Sequence, residues 1–285
     1  MTEDRSYPIR TPRQLKDWIN NMAKKNNLVA NTVLQNYIME RLLERISISK
    51  YRDNFILKGG FLISAMVGIN ARSTMDMDTT VKGLPVSKEE IERILNEILM
   101  IDIGDQVSFM IRSIKNIHDV SEYEDFRITM IATFFTMRVT MKLDITTGDV
   151  IIPREVEYSF KLMFENRSIS VMAYNLNTIL AEKIESILTR NVSNTRARDY
   201  YDVFVLLTDR YPDVDMDELR KAIVKKAEER NSVAVINQPD KYLKDIRESI
   251  DLQNLWIAYQ DKYTYAKDIR FEDVVACIER IFWVE

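Results

Sequence analysis

The sequence predicts an α+β region, a sheet with flanking helices, followed by a helical C-terminal region. Three observations carry this reading. Segments of period-two alternation crowd into residues 107–145, while period-3.6 apolar patterning takes over after about residue 175. The chain also has 285 residues, more than one small domain needs and about right for two.

The elements follow in order. Thr11-Pro12-Arg13-Gln14 opens the first helix, with threonine as N-cap, proline at the first helical position and glutamine set for a capping box. A second helix over residues 30–46 carries Val33, Leu34, Tyr37, Ile38, Leu42 and Ile46 on one stripe. Phe55-Ile56-Leu57 is a short apolar strand leading into Lys58-Gly59-Gly60, which reads as a flexible loop. Phe61 to Val67 is then a helix whose N-terminus faces whatever the glycines hold. Asp76 to Val81 is a strand, and Ser87-Lys88-Glu89-Glu90 caps a helix running to about Met100. Three strands come next: Val107, Phe109 and Ile111 alternate in the first, and Phe126, Ile128, Met130, Ala132 and Phe134 in the second. The third turns Met137, Val139, Met141, Leu143 and Ile145 one way, and Arg138, Thr140, Lys142, Asp144 and Thr146 the other. After Pro153 a last β-like piece lies near 169–171, and helices are expected near 176–190, 197–210, 215–229, 240–261 and 271–283. There is no low-complexity linker and no internal repeat. The expected division is residues 1–173, α+β, and 174–285, helical, the two packing on each other.

Composition narrows the function. A net charge of −4 argues against a protein held to nucleic acid by bulk electrostatics alone. Residues 1–50 carry nine Lys/Arg against five Asp/Glu, which suits either a polyanion or a solvated helix surface. The single Cys277, in an apolar run, reads as a buried thiol and fits a reducing compartment. No apolar run approaches the ~18 residues that span a bilayer, and the first residues do not resemble a signal peptide, so a cytoplasmic protein is expected. His118 is the only histidine and is expected in a turn, which disfavours histidine-based catalysis and zinc. There is neither a P-loop nor a kinase catalytic loop.

What remains is carboxylate chemistry. Asp76 and Asp78 fall on one face of their strand, with Met75, Met77 and Val81 on the other. Asp144 lies on the polar face of a later strand. Three converging carboxylates beside glycine amides would hold one or two Mg²⁺ ions against a nucleoside triphosphate. A solvated sheet face that happens to carry aspartates is the alternative. The chain also holds a decoy, Asp213-x-Asp215-x-Asp217, which lacks a calcium loop's glycine and glutamate and reads as a helix cap.

At these residues the sequence resembles the AbiEii-type toxins, nucleotidyltransferase-fold proteins of type IV toxin–antitoxin (abortive infection) systems. Four segments between about Phe55 and Leu207 carry the resemblance. They are Phe55-Ile56-Leu57-Lys58-Gly59-Gly60, Arg72-Ser73-Thr74-Met75-Asp76-Met77-Asp78, and Lys142-Leu143-Asp144-Ile145-Thr146-Thr147-Gly148-Asp149. The fourth runs from Leu180-Ala181-Glu182-Lys183 to Arg198-Asp199-Tyr200-Tyr201-Asp202. Phe61 departs from the pattern, because relatives often carry a threonine there.

The resemblance implies a nucleotidyltransferase-like mixed sheet and an enzyme using an NTP and Mg²⁺ on an RNA acceptor, tRNA in some relatives. Asp76, Asp78 and Asp144 would be metal ligands, with Asp144 also activating the acceptor hydroxyl. Lys183 would contact the triphosphate, and Asp202 would contribute from the helical domain. Lys58, Gly59, Gly60, Arg72, Thr74, Arg198 and Asp199 would line the nucleotide. The resemblance also implies a cognate antitoxin that forms no stable complex. Lys183 has support of its own, lying on the inward flank with Ile179, Leu180 and Ile187, while Glu182 and Glu185 take the polar side. Arg190, Arg196 and Arg198 crowd the following turn and suit either phosphate or an ion pair with Asp199. Protein modification by the same site, or a non-catalytic NTP- or RNA-binding module, are the competing readings. The nucleotide, the acceptor RNA and the oligomeric state are not legible.

Overall fold

In the computed structural model, which describes residues 9–117 and 125–283, the chain divides into two units. One comprises Met1–Asp149 and Val156–Ala173, the other Val150–Glu155 and Tyr174–Glu285. His118 lies outside the described residues.

The first unit is built from α1 (Pro12–Lys25), α2 (Ala30–Ile48), β1 (Phe55–Lys58), α3 (Gly59–Val67), β2 (Asp76–Val81), α4 (Lys88–Leu99), β3 (Val107–Asn116), β4 (Phe126–Phe134), β5 (Met137–Thr147), β6 (Val156–Lys161) and β7 (Ser168–Ala173). One seven-stranded sheet runs β3-β4-β5-β2-β1-β7-β6. Its β2–β5 and β1–β7 pairs are parallel and the others antiparallel. The expected alternation holds in β4, where Phe126, Ile128, Met130, Ala132 and Phe134 are buried. Thr11 caps α1 by accepting from the Gln14 N–H at 3.2 Å. Gln14 reaches back one residue beyond the cap, accepting the Arg10 N–H at 3.0 Å.

Three local expectations change. Gly59 and Gly60 are the first turn of α3, so the glycines offer helix N-terminal amides and not a loose loop. Met75 precedes β2 and is exposed, leaving Met77, Thr79 and Val81 as its buried face. Strand β6 was not expected, although Val156, Tyr158 and Phe160 alternate with Glu157, Ser159 and Lys161. As an edge strand it buries only Phe160, so it lacks the apolar weight that marks β4 and β5.

Helix α2 departs furthest from its sequence pattern. The apolar stripe is inside as expected, but the opposite face is buried too, with Glu40, Arg41, Glu44 and Arg45 all under 5% exposed. Ion pairs make this tolerable. Arg45 forks onto Asp105 with two 2.8 Å bonds and donates to the Val107 carbonyl at 2.6 Å. Arg41 pairs with Glu165 at 2.8 Å, and Glu44 with Arg167 at 2.8 Å. The Met163 N–H donates to the Glu40 carboxylate. Arg41 and Arg45 are therefore not part of any surface that could meet a polyanion, but Glu40 and Glu44 are withdrawn with them, so the burial leaves the basic excess of residues 1–50 unchanged.

The second unit is helical: α5 (Leu176–Arg190), α6 (Ala197–Asp209), α7 (Met216–Glu229), α8 (Val233–Ile236), α9 (Pro239–Glu248), α10 (Ile250–Lys262) and α11 (Phe271–Phe282). Asp215 caps α7 by accepting from the Asp217 and Glu218 N–H groups at 3.0 Å, as expected of the decoy triplet. The helix expected over 240–261 is two helices. Ser249 takes an extended conformation and caps α10, accepting the Leu252 N–H at 3.3 Å. Among the described residues, no helix is long and apolar enough to cross a membrane.

Burial pushes the Glu40 carboxyl up to about 8, against the pull of Arg41 and the Met163 N–H. The folded state thus keeps a proton that the unfolded chain releases near pH 4.5. Glu40 is expected to make stability fall as pH rises from about 4.5 to about 8, by up to ~1.4 kcal/mol per pH unit, and to add no slope above that. Glu40→Gln keeps an acceptor for Met163 and is expected to flatten this decline in urea unfolding; equal slopes in both proteins would refute the assignment.

Candidate active site

The polar face of the first unit's sheet carries a row of four charges set by strand register. Lys58 on β1 stands opposite Asp78 on β2, Asp78 opposite Asp144 on β5, and Asp144 opposite Arg127 on β4. Side chains in one cross-strand row share a face, so the row reads plus, minus, minus, plus. Asp76 lies two residues along β2 on the same face, opposite Lys142. It is exposed, whereas Asp78 and Asp144 are half-buried.

The glycines fit against this row closely. Gly59 has φ +68°, and a Cβ there would lie 2.2 Å from Asp78 Oδ2 and 2.9 Å from Asp78 Cβ. Only glycine lets the start of α3 sit on the aspartate in this conformation. A Cβ at Gly60 would lie 2.8 Å from the Arg72 guanidinium and 3.0 Å from Thr74 Oγ1. Arg72 and Thr74 are buried, and Asn36 on α2 donates to the Thr74 carbonyl at 2.9 Å. Five predicted residues (Gly59, Gly60, Arg72, Thr74 and Asp78) are thereby drawn together at the N-terminus of α3. Phe61, which stands in place of a threonine, is buried against Phe160 with ring centroids 5.2 Å apart.

Each end of the row is held by an ion pair. The Lys58 ammonium meets Asp149 at 2.5 Å, and Thr146 donates to the same Asp149 oxygen at 2.6 Å. Arg127 forks onto Asp144, with Nε to Oδ1 at 2.9 Å and Nη2 to Oδ2 at 2.7 Å. The hydrogen bond and charge of Asp144 hold the Arg127 guanidinium above its ordinary value, and the fields of Asp76 and Asp78 add to this. Arg127 was not among the expected site residues. Its signal was its place on the polar face of β4, which only the register connects to Asp144.

Oxygen donors in this number suit a hard divalent cation. Asp76 and Asp78, alternate residues of one strand, can supply two carboxylates, with substrate phosphates and water completing the shell. Among the described residues no three acidic, histidine or cysteine side chains already converge as a metal cage. Asp144, which would be the third carboxylate, has both oxygens accepting from Arg127.

The second unit brings together another three predicted residues. Lys183 on α5 reaches both Asp199 and Asp202 on α6, the latter at 3.0 Å. Asp202 is fully buried and Lys183 half-buried. The inward flank expected of Lys183 is therefore occupied by two carboxylates one helical turn apart. Arg198 does not pair with Asp199. It donates to the Tyr263 hydroxyl at 3.2 Å, and this bond and charge hold the phenol below its ordinary value despite burial. Arg190 bonds Ser186, and Arg196 is exposed. Glu185, expected on the polar side of α5, is buried, accepting from Arg230 and Ser232 at 2.6 and 2.7 Å.

With the geometry in place, the family can be assigned. The model of the nucleotidyl transferase AbiEii toxin family, of type IV toxin–antitoxin systems, matches residues 41–277. The chain belongs to that family. The AbiEii match extends beyond the four segments on both sides, taking in the C-terminal part of α2 and the first part of α11. A candidate nucleotidyltransferase of H. pylori, solved by crystallography, is similar at 15% identity, with 89% of this chain and 94% of that one covered and a TM-score of 0.50. The JHP933 protein of Helicobacter pylori is similar at 15% identity over 88% and 91%, with a TM-score of 0.49. No curated protein matches the chain. The AbiEii chain is thus a toxin of nucleotidyltransferase type with a nucleotidyltransferase-like fold.

Gly59→Ala is expected to lower stability by about 1–3 kcal/mol, through its left-handed φ and the contact with Asp78. In a double-mutant cycle with Asp78→Ala, which removes the nearest atoms, the combined loss in thermal unfolding is expected to be smaller than the sum. Strict additivity would show that the two residues do not press on each other.

Proposed function

We propose that this toxin transfers a nucleotide from an NTP to the hydroxyl of an RNA acceptor, tRNA in particular, and so arrests growth within a phage abortive-infection system. The observation that carries the reading is the row of Asp78 and Asp144 beside Asp76, set against the glycine-opened N-terminus of α3. Helix N-terminal amides favour phosphate oxygens, and the carboxylates on the adjoining strand supply the opposite need, a place for the cation that accompanies a triphosphate.

In the reaction the acceptor oxygen bonds to the α-phosphorus, the bond to the bridging oxygen breaks, and pyrophosphate leaves. Asp76 and Asp78, together with Asp144, would hold Mg²⁺, one or two ions, which when bound would neutralise the phosphates and lower the barrier to attack. Asp144 would take the proton of the attacking hydroxyl. The amides of Gly59 and Gly60 would orient the phosphates, with Lys58, Arg72 and Thr74 around them. We assign Lys183 to triphosphate binding, with Asp199 and Asp202 fixing its ammonium and Arg198 nearby on α6. The protein would act in the cytoplasm, opposed by an antitoxin that does not co-purify with it.

The test is incubation of the protein with Mg²⁺, total tRNA and each α-labelled NTP in turn. A labelled RNA band is expected with at least one nucleotide. Asp76→Ala is expected to reduce it by about 100-fold or more, and Lys183→Ala to do likewise. Undiminished transfer in Asp76→Ala would remove that residue from the chemistry. Label reaching the acceptor from γ-labelled NTP would mark a phosphotransferase, and label on protein alone a protein modifier.

A further inference from the structure

Arg127 holds Asp144, the carboxylate that the proposed chemistry assigns both to the acceptor hydroxyl and, with Asp76 and Asp78, to the cation. Both Asp144 oxygens accept from its guanidinium, at 2.9 and 2.7 Å, across directly paired positions of β4 and β5. A carboxylate engaged in this way has its charge neutralised and its near lone pairs occupied, and a cation approaching it meets a positive group first. The pair is not locked, however. The Arg127 side chain is 48% exposed and that of Asp144 16%, so the guanidinium can be reached and drawn off from its solvent side. The planar fork that matches a carboxylate matches a phosphate equally well. Across the row the next groups are Asp78 and Lys58, so a polyphosphate lying along it would reach Arg127 at one end and Lys58 at the other.

We propose that Arg127 is a positioning residue acting as a latch: it withholds Asp144 from a divalent cation until a nucleoside triphosphate draws the guanidinium onto its own phosphates. The inference rests on the metal-and-nucleotide reading given above and adds an order to it. Cation alone binds an incomplete site. The triphosphate opens the latch, Asp144 joins Asp76 and Asp78, and Arg127 remains over the phosphates as a donor.

The latch has a signature that structural damage lacks, namely opposite effects on the two ligands. Mn²⁺ binding to the full chain is measured by electron paramagnetic resonance without nucleotide, and binding of an α,β-methylene NTP analogue by calorimetry. Arg127→Gln is expected to bind Mn²⁺ alone about five-fold tighter and the analogue about five-fold more weakly, the weight of an exposed ion pair. Arg127→Lys keeps the charge but loses the fork, and is expected to fall between Arg127→Gln and wild type for Mn²⁺. In an Asp144→Asn background, Arg127→Gln is expected to leave Mn²⁺ affinity unchanged. A gain that persists in that background, or a lysine variant identical to wild type, would reveal a simple field effect and overturn the latch. Weakening of both ligands in Arg127→Gln would overturn it as well. If wild type binds Mn²⁺ and analogue normally and Arg127→Gln matches it, the latch alone fails. If wild type binds no Mn²⁺ even with the analogue present, the metal reading fails and the latch with it.

Discussion

The arrangement of this site depends on how β2 is seated between β1 and β5. Parallel to one neighbour and antiparallel to the other, β2 brings Asp78 level with Lys58 on one side and Asp144 on the other. A slip of one residue against either neighbour would turn β2's aspartates to the buried face and its Met77 and Thr79 to solvent. The apolar face prevents this, because Met77 is packed without exposure. The same seating presses Asp78 onto Gly59, so the strand register and the start of α3 are a single constraint. The core under the sheet and the charges above it are thus fixed together.

The sheet was legible where alternation was strong. β4 declares itself by five buried positions at period two and β5 by four, and β5 thereby presents Asp144 on its polar side. That Asp76 and Asp78 share one face of a strand was legible from their spacing, and the helix caps at Thr11, Ser87 and Asp215 from short-range chemistry. Long-range facts were hidden. Nothing local marks Arg127 as the partner of Asp144, because they are 17 residues apart and meet only through β4–β5 pairing. Nor does the sequence of α2 disclose that its charged face is inside, since a charged stripe opposite an apolar one ordinarily meets water. The break at Ser249 was obscured by continuous helical periodicity on both sides of it.

The two units treat their charged groups differently. In the first, two carboxylates lie between two cations, with the Arg127 end open to solvent and the Lys58 end largely enclosed. In the second, one ammonium is enclosed by two carboxylates, one of them wholly buried. The Arg127–Asp144 pair, open on its arginine side, is the more easily rearranged by a competing ion. The second resists rearrangement, because separating a buried carboxylate from its cation is expensive.

Helix α2 has an implication for how such sequences diverge. Most helices have a solvent side on which substitutions accumulate without consequence, but from Gln35 to Ile46 this helix has no such side. Its polar residues are each answered from elsewhere in the unit: Gln35 by the Thr140 carbonyl, Asn36 by that of Thr74, Glu40 by the Met163 amide, Arg45 by Asp105. A single replacement at Arg45 strands Asp105, and one at Asp105 strands Arg45. Drift in this helix has to proceed by compensated pairs, so positions 45 and 105 are where lineages of this chain would carry co-varying changes, whereas the backbone-bonded Glu40 would be replaced only by another acceptor of its length.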